Sequence, residues 1–215
     1  MRSLASIAPV ILAAGNSARM GYPKPLLPLG TEIFLTRILR VIREVGLPGP
    51  CIVLGKAAAM IQERIQGWPA DIRINPDPDR GQLSSIQLAL STLRPEYEAA
   101  LIWPVDHPAV SGELVRALTQ LYISSQSLIV CPLHEGRRGH PAIFHRDLFR
   151  EFMDEPLQEG PKRILTRHLS ETSVWPTGEA AVVRDIDTPP DYEDLTGESL
   201  ELALQKRGLE TDFQL

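Results

Sequence analysis

Residues 7–24 read IAPVILAAGNSARMGYPK. The first part, 7–13, is an unbroken apolar run, and Ala14 and Gly15 end it in a turn of small residues. A run of this length with neither a helical stripe nor alternation fits a strand buried on both faces. Short runs of the same kind recur at 50–54 (PCIVL), 71–74 (DIRI), 99–105 (AALIWPV) and 127–131 (SLIVC). Helical spacing fills the gaps: Ile33, Leu35, Ile38, Val41, Ile42 and Val45 share a stripe within 32–45. Similar patterns cover 56–66, 82–93 and 112–124, the last with Ser111 as its N-cap. Buried strands alternating with amphipathic helices imply βαβ units, hence an α/β fold with a doubly wound, mostly parallel sheet.

Beyond Pro132 the pattern loosens. We expect a polar turn at 134–140, a strand at 141–144, a helix at 146–153, a loop at 154–161 and a helix at 162–169. A last strand is expected at 180–183, running into Arg184-Asp185-Ile186-Asp187, and a terminal helix at 198–207 with Leu200, Ala203 and Leu204 on one stripe. The expected organisation is a single domain over 1–195 and a C-terminal helical tail over 196–215.

The composition bounds the function. The chain has 215 residues, 22 Lys+Arg against 27 Asp+Glu and a net charge of −5. That balance argues against a nucleic-acid partner, which calls for a basic face. No run approaches the length of a membrane span. The apolar N-terminal stretch leads straight into a turn and a basic loop, so it reads as a buried strand rather than a signal peptide. Cys51 and Cys131 both lie in apolar runs and are expected as core thiols of a cytoplasmic protein. Proline is in excess at 19 residues, spread along the chain as in fixed loops.

In an open α/β sheet, ligands bind outside the carboxyl ends of the strands. The first strand ends in Leu12-Ala13-Ala14-Gly15-Asn16-Ser17, followed by Arg19 and Lys24. Small residues let backbone N–H groups approach a ligand, and two cations suit a polyphosphate. Neither a Walker P-loop nor a GxGxxG dinucleotide motif is present. The fourth apolar run ends in Asp106-His107-Pro108, and Asp185 and Asp187 close the last expected strand. A carboxylate facing phosphate calls for a divalent cation between them. The plainer alternative for each acidic residue is a turn or helix cap.

These motifs resemble those of the MobA-like nucleotidyltransferases. LAAGNSARMGYPKPLLPLG at 12–30 is similar to the family signature. Gly81-Gln82-Leu83-Ser84-Ser85-Ile86, Asp106-His107-Pro108, Arg138-Gly139-His140-Pro141 and Asp185-Ile186-Asp187-Thr188-Pro189 follow in the order of its molybdenum cofactor cytidylyltransferase branch. The resemblance implies a Rossmann-like nucleotidyltransferase fold and transfer of CMP from CTP to molybdopterin with release of pyrophosphate. It places the nucleotide at Leu12, Ala13, Ala14, Gly15, Ser17, Arg19, Lys24, Ser84 and Ser85. Arg19, Lys24 and Asp106 are the implied catalytic residues. Mg2+ would lie on Asp106 and on Asp187 or Asp185, and the acceptor beside Arg138 and His140, with Arg137 nearby. Ala14 in the first turn favours CTP within the family, and hand-over of the product to a molybdenum hydroxylase is the implied partnership. Helix capping for the serines and a solvated loop for the arginines are the alternatives. The chain departs from the branch at His107, where Gln is common, and that bears on the acceptor more than on the reaction. Two rivals remain: transfer to a sugar or polyol phosphate, and a binding protein without catalysis.

Overall fold

The computed structural model describes residues 2–157 and 161–209. In chain order the elements are β1 (Ile7–Ala13), the two-stranded pair β2 (Pro28–Leu29) and β3 (Glu32–Ile33), α1 (Phe34–Val45), β4 (Cys51–Leu54), α2 (Ala58–Arg64), β5 (Asp71–Ile74), α3 (Gln82–Thr92), β6 (Ala99–Pro104) and α4 (Gly112–Ser124). Then come β7 (Ile129–His134), β8 (Arg137–Arg138), β9 (Ala142–His145), α5 (Phe149–Asp154), α6 (Lys162–Arg167), β10 (Thr172–Pro176), α7 (Pro189–Thr196) and α8 (Leu200–Gln205).

The central sheet has the order β10-β7-β9-β6-β1-β4-β5, with β8 paired to β7. All neighbours on this path run parallel except β9, which is antiparallel to both β6 and β7. The strand β1 is central, and all seven of its residues are buried. Ile7, Ile11 and Ala13 point into one core cluster, whereas Val10, Leu12 and Ala14 point into the other. This is the period of two expected where both faces of a sheet are covered. On the first face Leu35, Ile38, Leu39, Ile42 and Val45 of α1 are buried, each side chain contributing about 1.5–3 kcal/mol by leaving water. The second face is covered by α3, α5 and α6, through residues such as Ile86, Phe152 and Ile164.

From β1 the chain passes to β4 on one side of it and later returns to β6 on the other. The carboxyl ends of β1 and β6 thus flank a topological switch point, where a crevice opens. Register pairs Leu12 with Pro104, and Val105 N–H donates to the Leu12 carbonyl at 3.0 Å, so the two strand ends are level.

The C-terminal third departs from expectation in three places. Residues 180–183 are no strand: Ala180–Val182 form a 3-10 turn. The last strand is instead β10, parallel to β7 at the sheet edge. Thr188-Pro189-Pro190-Asp191 starts α7, with Thr188 and Asp191 in a reciprocal capping box. The expected turn at 134–140 is a hairpin, β7 to β8 through Glu135 and Gly136, both at positive φ. Helices α5 and α6 fill most of 146–153 and 162–169; residues 158–160 of the intervening loop lie outside the described residues. In the expected tail, Leu200, Ala203 and Leu204 of α8 are buried in the first core cluster, while 210–215 lie outside the described residues. Among the described residues no helix is long and apolar enough to cross a membrane.

Candidate active site

The crevice is a cleft of about 360 Å³ lined by the loop Leu12–Arg19, by Lys24 and Pro25, and by Pro104, Val105 and Asp106. Pro78, Gly81, Gln82 and Ser85 close one side, and Asp187 the other. Ser17 shapes the loop. It takes φ of 52°, its carbonyl accepts from the N–H groups of Met20 and Gly21, and its hydroxyl accepts from Lys24 N–H at 3.0 Å. These bonds turn the chain back, so that Lys24 reaches the cleft from the following 3-10 turn. Gly55 permits a close approach behind the loop, because a Cβ there would lie 2.3 Å from the Ala14 carbonyl oxygen.

Lys24, with only 15% of its side chain exposed, meets two carboxylates. Its Nζ lies 3.4 Å from Asp106 Oδ2 and hydrogen-bonds Asp187 Oδ1. Arg19 Nη2 donates to Asp187 Oδ2 at 2.7 Å from an otherwise exposed side chain. The other oxygen of Asp106, Oδ1, is buried without a hydrogen-bond partner. Two acids and two cations from residues widely separated in sequence thus converge at the cleft.

Asp185 goes elsewhere. Its Oδ1 lies 3.0 Å from His107 Nε2, and His107 Nδ1 lies 3.0 Å from the Ala181 carbonyl. Burial disfavours the His107 cation, but the bond to Asp185 and the nearby Asp106 charge outweigh it and raise the His107 pKa. The bond to His107 in turn lowers that of Asp185 against the effect of burial. The His140 ring lies 5.0 Å from that of His107; burial, and then the His107 charge, push its pKa down to about 4, so it is a neutral base at pH 7. Its Nδ1 is buried without a partner.

Leu12, Ala13, Ala14, Gly15, Ser17, Arg19, Lys24, Ser85, Asp106 and Asp187 therefore share one cleft. Ser84, Asp185, Arg138 and His140 do not line it. The Ser84 and Ser85 hydroxyls both accept from the Asn75 amide at 2.9 Å, and Ser84 also donates to the Gly81 carbonyl. Arg137 and Arg138 are exposed, and Arg137 donates to the Val183 carbonyl at 3.3 Å. The sequence assigns no role to Asn16, which lines the cleft, or to Asp79, whose carboxylate accepts from the Asn16 amide. Asn16 lies inside the recognised motif and was findable there; Asp79 follows no strand directly and carried no signal.

The MobA-like NTP transferase domain family matches residues 9–172, a span holding the Gly15 loop, Lys24 and Asp106. The chain belongs to this family. As a MobA-like NTP transferase it is an enzyme, a nucleotidyltransferase. It is 26% identical over 196 residues to the molybdenum cofactor cytidylyltransferase of Escherichia coli (strain K12), covering 85% of this chain and 92% of that protein. The crystal structure of Rv0371c from Mycobacterium tuberculosis H37Rv superimposes with a TM-score of 0.81 at 26% identity, covering 91% of this chain and 100% of that one. A manganese complex of Rv0371c gives a TM-score of 0.76 at 25% identity over 90% and 99% of the two chains. The Rossmann-like nucleotidyltransferase fold is thereby shared with these solved structures.

Proposed function

We propose that this MobA-like transferase moves CMP from CTP to molybdopterin, releasing pyrophosphate, with Mg2+ as its metal. The observation that carries the reading is the convergence of Lys24 on Asp106 and Asp187 in a cleft walled by the Gly15 loop. The similarity to the Escherichia coli cytidylyltransferase supports both base and acceptor.

The residues fit a divalent ion. Asp106 has a buried oxygen without a partner, and a single ammonium holds it to Asp187. Among the described residues no group of three or more His, Cys, Asp or Glu makes a complete shell. That suits Mg2+, which takes one or two carboxylates and completes its shell with substrate phosphates and water. Asp106 and Asp187 would hold the ion, and Asp185 would not, being committed to His107. When bound, the ion supplies charge neutralisation at the nucleotide phosphates.

The protein's own part is positioning. Backbone groups of Leu12, Ala13, Ala14 and Gly15 and the Ser17 loop would hold the nucleotide, with Ser85 and Gln82 on its base and ribose side. Arg19 and Lys24 would exchange carboxylate for phosphate and carry charge on the departing pyrophosphate. The acceptor phosphate oxygen forms the new bond to the α-phosphorus as the α–β bridging bond breaks, in line. No protein nucleophile is required, and orientation with electrostatics supplies the acceleration. His140, whose ring lies beside that of His107, and Arg138, exposed on β8, both outside the nucleotide cleft, would face the acceptor.

The test is a panel of nucleoside triphosphates with Mg2+ and molybdopterin, following pyrophosphate release. CTP with molybdopterin should turn over fastest. Good turnover with a sugar or polyol phosphate and none with molybdopterin would overturn the acceptor, and preference for another base would overturn CTP.

A further inference from the structure

Asp106 is fixed by the end of a buried strand, but Asp187 is not. Residues 177–187 follow the edge strand β10 and contain only the 3-10 turn Ala180–Val182. No ladder bond sets where their side chains sit. Contacts from other elements do so: Glu179 bonds Ser111, Arg137 donates to the Val183 carbonyl and Arg184 pairs with Asp194, and four more pass through or beside one side chain. His107 is buried, with 2% exposure. Its own carbonyl accepts from Trp103 Nε1 at 3.0 Å, so it is anchored to β6. Its ring faces an acceptor at each nitrogen, the Ala181 carbonyl and Asp185 Oδ1, each at 3.0 Å. Beside it, Ile186 N–H donates to the Asp106 carbonyl at 3.0 Å, and His140 N–H donates to the Val182 carbonyl at 2.7 Å. Gly139 leaves room for that approach: a Cβ there would lie 2.2 Å from the Val182 oxygen. On the far side of Asp187, the capping box of α7 takes over, with Asp187 N–H donating to Asp191 Oδ2 at 3.1 Å.

We propose that His107 is a positioning residue whose ring clamps residues 181–185 to the end of β6 and so sets Asp187 opposite Asp106 and Lys24. The part concerning metal rests on the reading of Asp106 and Asp187 as the metal pair. His107 does not touch Asp187; its ring lies 3.9 Å from Oδ1 of its chain neighbour Asp106, and it acts on Asp187 through Asp185 and the backbone. The sequence places the two halves of the pair 81 residues apart; the Lys24 ammonium bridges the carboxylates, and this ring ties together the chain segments that carry them.

The clamp has a readout that needs no metal. Hydrogen exchange on the full chain should show the Ile186 amide exchanging roughly tenfold faster in His107→Leu, with the β1 and β6 amides still protected. Unchanged protection at Ile186 overturns the clamp. Its consequence is read by titrating Mn2+ alone, followed by electron paramagnetic resonance. His107→Leu and Asp185→Ala should each weaken Mn2+ by roughly tenfold, at the low end for groups that support metal ligands. The double variant should be no weaker than the worse single one. Additive losses would mean that Asp185 acts without His107, and would overturn the proposal. His107→Gln, which keeps a donor, should restore exchange protection and Mn2+ affinity to within about threefold of wild type. If the leucine variant does not fold, Asp185→Ala, at an exposed carboxylate, carries both readings, and normal values for both overturn the proposal. If Asp106→Asn leaves Mn2+ affinity intact, the metal-pair reading fails, while the exchange result still judges the clamp.

Discussion

Lys24 has two incompatible partners. In the structure its ammonium neutralises Asp106 and Asp187; in the proposed complex a divalent ion does so, and Lys24 turns to phosphate. The lysine therefore competes with metal alone and cooperates with metal plus nucleotide. Lys24→Met should tighten Mn2+ binding in the absence of nucleotide by about tenfold, or ~1.4 kcal/mol, and weaken CTP by a similar factor. Isothermal titration of each ligand separately checks this, and weaker Mn2+ binding would show that Lys24 does not occupy the metal's place. Asp106→Asn keeps the shape but removes the charge. Pyrophosphate release should fall at least about a hundredfold, because metal neutralisation is worth several kcal/mol in the transition state. The melting temperature should stay within a few degrees, as the removed charge is partly exposed; near-normal turnover would place the metal elsewhere.

Among the elements, those in the first two-thirds of the chain were readable because β1, β4 and β6 are buried on both faces and leave unbroken apolar runs. Direction was not readable: the sequence gives 141–144 as a strand, observed at Ala142–His145, and only the hairpin chemistry of Glu135-Gly136 turns β9 antiparallel. The misplaced strand has a physical cause as well. Ala180-Ala181-Val182-Val183 is apolar, but its carbonyls at 181, 182 and 183 go to His107, His140 and Arg137 rather than to a ladder. The true strand, Thr172–Pro176, ends in an exposed Trp-Pro pair that suits an edge. The candidate cleft was legible where one motif held it, at 12–24, and illegible where tertiary contacts put Asp187 rather than Asp185 on its lining. An ion-pair network joins α5, α6 and the turn at Leu169–Glu171. His168 Nδ1 lies 2.6 Å from Glu171 Oε2 and its Nε2 lies 2.8 Å from Glu151 Oε1. Its bond to Glu171 holds the His168 pKa above its ordinary value, burial opposes this, and the bond to Glu151 adds to it. A raised folded pKa contributes stability below the unfolded value of about 6.5, lost as pH rises through the folded value. For a partly exposed group this is at most about 1 kcal/mol, or roughly 2–4 °C in a chain of this size. Between pH 6 and pH 9 the wild type should lose that much more melting temperature than His168→Gln, as followed by circular dichroism; parallel curves would remove His168 from the stability balance.

At the scale of the whole molecule, one cysteine lies in each half of the sheet. Cys51 opens β4, and Cys131 lies in β7, beyond β6 and β9 from the centre. Both thiols are free and buried in the second core cluster. Burial pushes each pKa up to about 11, so at pH 7.5 neither supplies much thiolate while the fold is closed. Alkylation by iodoacetamide then requires opening, and the two labelling rates compare the stability of the two halves. The sheet is continuous, and β1 and β6 at its centre carry residues of both core clusters, so opening should be global. Cys51 and Cys131 should be labelled at the same rate, and saturating CTP with Mg2+ should slow both equally, by about a hundredfold at a hundred times Kd, because the ligand stabilises the closed fold by ~2.7 kcal/mol. Mass spectrometry of labelled peptides resolves the two sites. Faster labelling of Cys131, with only Cys51 protected by the nucleotide, would mean that β7 and β10 open as a unit separate from the half of the sheet that carries β4.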